Sequence, residues 1–167
     1  MKFHITPCIC CPSYLTYTEA VPTARNGVMM HMGDKFCSFK KKPRRIKTRE
    51  LKRKVPDWCP KRRSPALVSI YGFKDQHSRQ MHELYRSMSE HHFPSTYHYE
   101  RRYKGTMSMT VEDFWRSYEN GNPISELVGE PFGKYEVLEL DDGLVHEFFY
   151  DNGSGLDRVF FHPPEEK

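Results

Sequence analysis

The chain has 167 residues, with 37% hydrophobic and 14% aromatic residues and 26 Lys and Arg against 22 Asp and Glu, which suits one compact domain or a small module joined to a larger one. It has no run of about 18 or more apolar residues, which excludes a membrane-spanning helix, and an amino terminus without a long apolar stretch leads us to expect no secretory leader. The net charge of +4 conceals an asymmetry: residues 1–64 carry 16 basic against 4 acidic side chains, residues 65–109 carry 6 against 4, and residues 110–167 carry 4 against 14. One end is a polycation and the other a polyanion, a pattern that predicts either that the two fold against each other or that they present two separate charged faces to a partner.

All five cysteines lie before residue 60: Cys8, Cys10 and Cys11 in "TPCICCPSY", Cys37 in "DKFCSF" and Cys59 in "VPDWCPKR". Between the last two runs the basic block "KFCSFKKKPRRIKTRELKRK", which lacks the apolar stripe of a self-sufficient helix. Residues 1–64 therefore read as an irregular, basic, cysteine-rich module that cannot order itself without a cross-link.

Residues 65–167 read as an α+β domain. "ALVSIYGF" (Ala66 to Phe73) predicts a strand. Asp75 then caps a helix whose Met81, Leu84, Tyr85 and Met88 recur at helical spacing and predict its buried face, and Pro94 closes it. Tyr97 to Met109 reads as extended, with a bulge or break at Gly105. Thr110 opens a second helix with Thr-x-x-Asp at its start and Val111, Phe114, Trp115 and Tyr118 on one face, stopped at Gly121. Turn signals at Asp141-Asp142-Gly143 and at 151–155 then divide three alternating strands. The predicted order is β-α-β-α-β-β-β, an antiparallel sheet with two helices on one face.

Cys8 and Cys11 are spaced as Cys-x-x-Cys, which lets two thiolates of one tight turn reach a single ion, and Cys37 and Cys59 complete a four-thiolate set for structural Zn²⁺. Such binding would turn metal affinity into folding free energy. His31 and His4 are alternative ligands, and Cys10 is the spare, because adjacent side chains diverge. Buried free thiols and thiol redox chemistry are the other readings; a redox Cys-x-x-Cys would sit between a strand and a helix, which this stretch does not provide. The odd number of cysteines argues against a disulfide framework and for a reducing cytoplasm.

Catalytic signals are weak. His82-Glu83 lacks the second His of a zinc protease, so His82 reads as a solvent-facing helix residue, and His91-His92 reads as a polar helix end. No Gly-rich phosphate loop and no Gly-x-Ser-x-Gly occurs. We therefore expect a protein that is not an enzyme.

The segment Pro56-Asp57-Trp58-Cys59-Pro60, with Cys8, Cys11 and Cys37, resembles the "PDWCP" signature of small cysteine-rich proteins of Firmicute phages and mobile elements. A small zinc-stapled protein of this kind is also similar to metal-containing anti-CRISPR proteins directed at type II RNA-guided nucleases. The resemblance covers about the first 40% of the chain. It implies a protein of the bacterial host cytoplasm whose partner is such a nuclease.

Two functions follow. An inhibitor would use the acidic residues Glu112, Asp113, Glu119, Glu126, Glu130, Glu136, Glu139, Asp141 and Asp142 to dock on the positive channels of a nuclease; the plainer reading makes them solvated faces of a helix and a hairpin. A nucleic-acid-binding module would use Lys41, Lys42, Arg44, Arg45, Lys47 and Arg49, followed by Lys52, Arg53, Lys54, Lys61, Arg62 and Arg63, for phosphate contacts. Tyr14, Tyr17, Phe39 and Trp58 would stack on bases, although an aromatic beside a metal cysteine also packs around its site.

Overall fold

A computed structural model describes residues 7–18, 23–25, 28–62, 65–89 and 94–164. It divides the chain into two compact units, one within residues 4–62 and the other within residues 63–167.

The first unit is more regular than the sequence predicts. A 3-10 turn at Cys8–Cys10 leads into β1 (Tyr14–Thr16); β2 (Thr23–Arg25), β3 (Val28–Met30), β4 (Lys35–Cys37) and β5 (Arg44–Arg45) follow. β1, β4 and β5 form an antiparallel sheet with β4 central, and β2 pairs with β3. Its core is nonetheless small. Met30, Phe36, Ile46 and Val55 are its buried apolar side chains among the described residues, against twenty in the second unit. Four such side chains, each worth about 1.5–3 kcal/mol of burial, do not offset the chain entropy of some fifty residues.

The second unit follows the predicted order with one addition. β6 (Ala66–Phe73), α1 (Gln76–Met88), β7 (Tyr99–Met107), α2 (Val111–Glu119), a short α3 (Ile124–Val128), β8 (Val137–Asp141), β9 (His146–Asp151) and β10 (Leu156–Val159) build one antiparallel sheet in the order β10-β9-β8-β6-β7. Asp75 caps α1 by accepting from the Ser78 N–H at 2.7 Å, and the Thr110 hydroxyl accepts from the Asp113 N–H at 3.1 Å to cap α2. The last turn of α2 gives way at Gly121, whose φ of 91° only glycine adopts without strain.

The helices do not share a face. Trp115 of α2 packs on Phe149 at 4.6 Å between ring centroids, whereas His82 of α1 bonds the hydroxyl of the next residue, Tyr150. Successive strand residues point to opposite faces, so α1 and α2 cover opposite sides of the sheet.

α1 is also rotated from the predicted setting. Ser78 and His82 are buried, while Leu84, Tyr85 and Met88 are exposed by 51%, 43% and 75%. The reason lies in the sheet: this face is built of Tyr71, Phe73, Tyr99 and Tyr150, and while the hydroxyls of Tyr71 and Tyr99 bond Glu139 and the Tyr135 carbonyl, that of Tyr150 meets His82, a polar partner that leucine and methionine cannot supply. His82 is therefore a core residue, not a solvent-facing one. His91 and His92 lie outside the described residues. Gly105 does not break β7. The pairing shifts instead opposite Ile70 and Tyr71, and Gly105 leaves room for the Tyr103 ring, whose hydroxyl would sit 2.1 Å from an added Cβ.

Candidate metal centre and basic face

Backbone bonds bring the cysteine segments together. The Cys11 N–H donates to the Cys8 carbonyl at 3.0 Å and closes the Cys-x-x-Cys turn. Tyr14, whose N–H donates to the Cys11 carbonyl at 2.9 Å, faces Cys37 across the β1–β4 ladder. The Cys8 N–H reaches the Lys54 carbonyl at 2.7 Å, which ties the first turn to the segment leading into Cys59. There Pro56 and Cys59 share an i,i+3 bond, and Arg62 bonds back to the Cys59 carbonyl, each at 3.0 Å. Cys8, Cys11 and Cys59 therefore sit on tight turns, and β4 carries the fourth thiol, Cys37.

The thiols sense one another. Burial, and then the thiols of Cys11, Cys37 and Cys59, push the Cys8 thiol up from its ordinary 9.0 to about 11. Cys10 is exposed and is not among these neighbours. Among the described residues no three His, Cys, Asp or Glu side chains are drawn in to ligating distance; the four thiols are neighbours rather than a closed tetrahedron. Their chemistry fits zinc, since a divalent cation stabilises every thiolate at once and reverses the mutual repulsion that raises Cys8. Lys61 Nζ stands 3.8 Å from Cys11 Sγ, a second source of positive charge at the cluster. Of the alternative ligands, His4 lies outside the described residues, and His31 is exposed, its N–H donating to Asp34 Oδ2 at 2.9 Å.

Around the thiols the basic block is divided. Lys40, Lys42 and Arg44 line a recess of about 180 Å³ with Cys37, Trp58 and Pro60. Lys41 instead lines a groove with Leu15, Thr16, Met30 and Phe36, and Arg45 pairs with Asp34 at 2.5 Å. Only Arg44 and Arg45 belong to a strand, β5, where neighbouring side chains leave opposite sides; residues 39–42 form bends that carry Lys40 and Lys42 to the recess and Lys41 away from it. The Arg44 guanidinium lies 4.0 Å from the Trp58 ring centroid. Glu50 holds that ring by its edge: its Oε1 accepts from the indole N–H at 2.8 Å and its Oε2 from the Lys47 N–H at 2.7 Å. The Lys47 backbone bond, assisted by Trp58 against the effect of burial, keeps the Glu50 carboxyl below its ordinary range.

Other expected phosphate contacts are placed differently. Lys47, Arg49, Lys52 and Lys54 are exposed. Arg53 bonds Asp57 at 2.7 Å. Arg62 has its side chain 1% exposed, near the same Asp57 carboxylate, so it belongs to the frame of the Cys59 turn and not to the surface. Arg63 lies outside the described residues. Phe39 is exposed, and Tyr14 and Tyr17 are half-buried.

The nine acidic residues do not converge on one surface. Glu112 and Asp113 flank Arg116 at 3.5 and 3.1 Å on α2. Glu139 and Asp141 are alternate residues of β8, on the face opposite that helix. Glu136 pairs with Arg102 at 2.8 Å, although burial outweighs that pairing and a Gly133 hydrogen bond and raises its carboxyl. Glu139 accepts from the Tyr71 hydroxyl at 2.7 Å and contacts His146 Nε2 at 2.8 Å; burial raises its carboxyl, but its bonds from Tyr71, Ser69 and His146 prevail and lower it. Asp141 accepts from the Gly143 N–H at 2.8 Å in the β8–β9 turn. Asp142, 1% exposed, accepts from the N–H groups of Leu144 and Val145, both at 2.9 Å. Glu119 and Glu126 are exposed and Glu130 is half-buried.

No signal in the sequence pointed to Glu50 or to the pairing of Arg44 with Trp58. No helix among the described residues is long and apolar enough to cross a membrane. Compared with protein-family models, curated proteins and solved structures, the chain finds no match.

Proposed function

We propose that this chain is a non-enzymatic, zinc-stapled nucleic-acid-binding protein of a mobile element, working in the bacterial cytoplasm. The observation that carries the reading is the recess beside the thiols, where three basic side chains meet a tryptophan held at its edge by Glu50. Phosphate attracts such cations, and every nucleobase has a face for the ring. Zinc on Cys8, Cys11, Cys37 and Cys59 supplies the folding free energy that four buried apolar side chains cannot. Fluorescence anisotropy with labelled DNA and RNA tests the reading. Affinity should fall steeply as salt rises, and absence of binding at low salt sinks it.

One observation favours the second reading, an anti-CRISPR inhibitor of a type II nuclease. Leu84 and Met88, one turn apart on α1, are exposed by 51% and 75%, an apolar stripe of the kind a helix presents to a protein groove. Exposed Glu119 and Glu126 add negative charge suited to a basic channel. Capture of the guide-loaded nuclease by the wild type, lost in Leu84→Glu/Met88→Glu and kept in Arg44→Gln, would favour this reading; no capture by the wild type rejects it.

A further inference from the structure

We infer that the Trp58–Arg44 pair is a stacking site for one unpaired nucleobase, so that the basic module selects single-stranded nucleic acid over duplex. The inference rests on the nucleic-acid reading above and names the form of nucleic acid that the site takes.

Cations alone would grip any phosphate backbone, because counterion release is indifferent to strand number. The recess holds more than cations. The Arg44 guanidinium carbon sits over the Trp58 ring at 4.0 Å from its centroid, and Arg44 is exposed. A guanidinium is planar and weakly hydrated, so the side turned away from the indole offers a second stacking face. Base, guanidinium and indole then form one column.

The column is built before any ligand arrives. The bond from the indole N–H to Glu50 fixes the ring in its plane, and the Lys47 N–H fixes Glu50 in turn. Pro60 lines the same recess. A preorganised aromatic spends little entropy on binding. At about 180 Å³ the recess is small beside the ~300–1,000 Å³ of sites for drug-sized ligands, and it suits one planar group rather than a whole nucleotide.

The phosphates have their own contacts. Lys40 and Lys42 line the recess next to Arg44, and neither pairs with a carboxylate among the described residues. Their charges lie along a strand whose base is held at Arg44. A duplex satisfies the lysines but not the column, because its bases are stacked on each other and show only their edges in the grooves. A flexible single strand satisfies both.

The test uses the full zinc-loaded chain and four labelled probes of about 12 units: oligo-dT, oligo-rU, a DNA duplex, and an abasic phosphodiester strand of equal charge. Either base-bearing single strand should bind about tenfold or more tightly than the abasic strand and the duplex. The same titration should quench tryptophan emission, with Trp58 the responsive residue because Trp115 is 6% exposed. Arg44→Gln, which leaves the indole and its Glu50 bond in place, should remove most of the base-dependent margin and keep the weaker binding to the abasic strand. Trp58→Ala should do the same if it folds, and the abasic comparison on the unaltered chain needs no variant. Equal affinity for base-bearing and abasic strands, duplex affinity as high as single-strand affinity, or equally effective displacement of oligo-dT by an acidic peptide would overturn the inference and leave general nucleic-acid binding standing. Binding to none of the four probes would remove both.

Discussion

His82 and Tyr150 are joined by a 2.7 Å hydrogen bond inside a box whose other rings are Phe73, Tyr99 and Tyr135. The bond links α1 to β9 at a place where neither helix nor strand offers a backbone partner. Burial, acting against Arg86, pushes the Tyr150 phenol up to about 12, so it remains a neutral hydroxyl able to serve the imidazole. Tyr150→Phe keeps the ring and takes this partner from His82. It should lower stability by about 1–3 kcal/mol in urea denaturation, the usual cost of a stranded buried polar group. An unchanged midpoint would mean that the box does not depend on this bond.

The cysteines should differ in consequence. Purified without chelator, the protein should carry about one zinc per chain by elemental analysis, the stoichiometry of a four-thiolate site. Cys8→Ser, Cys11→Ser, Cys37→Ser and Cys59→Ser should each lower metal content and solubility together, and Cys10→Ser should do neither. Equal damage at Cys10 would show that the ligand set is misassigned.

Glu139 ties acid stability to its bonds with Tyr71, Ser69 and His146. Its folded carboxyl titrates below the ordinary 4.5, so the unfolded chain takes up the proton first as acid is added. The stabilisation is complete above 4.5 and is lost as pH falls through the lower folded value. The melting temperatures of wild type and Glu139→Gln should therefore differ most above pH 4.5 and converge as pH falls below it. A gap that widens in acid would reverse the sign of the argument.

Asp142 and the exposed carboxylates separate stability from binding. Asp142→Ala strands the N–H groups of Leu144 and Val145 at the β8–β9 turn and should cost about 1–3 kcal/mol of stability. Glu119→Lys with Glu126→Lys alters exposed sites and should stay within about 0.5 kcal/mol of wild type. If the inhibitor reading is correct, that pair and not Asp142 should carry the loss of nuclease capture at equal folded concentration.

Most of the second unit was legible because its signals are local. The strand Ala66–Phe73, the caps Asp75 and Thr110 and the Asp-Gly turn all lie within a few residues of what they control. The rotation of α1 was not legible, since the moment of a helix assumes an apolar receiving surface, and here that surface is tyrosine. The β2–β3 pair in the first unit had a signal that the composition argument hid: Asn26-Gly27, a strong hairpin dipeptide, separates the two strands in sequence. The tight turn at Cys8 and Cys11 was visible as Cys-x-x-Cys spacing. The split of Lys40, Lys42 and Arg44 from Lys41 and Arg45 depends on the bends at residues 39–42, which no periodicity in the basic block announces.

The strand order β10-β9-β8-β6-β7 has a consequence for the order of events during synthesis. β6 emerges early but lies between β7 and β8, and its second neighbour begins only at Val137. Until then one edge of β6, rich in Val, Ile and Tyr, stays open on the nascent chain and exposed to unwanted pairing. All four candidate ligands, by contrast, have left the ribosome once Cys59 has, so a zinc ion, if the proposed site binds one, would be taken up while the second unit is still being translated. Zinc availability would then act on folding yield at an early stage of translation, before the sheet has acquired its central partner.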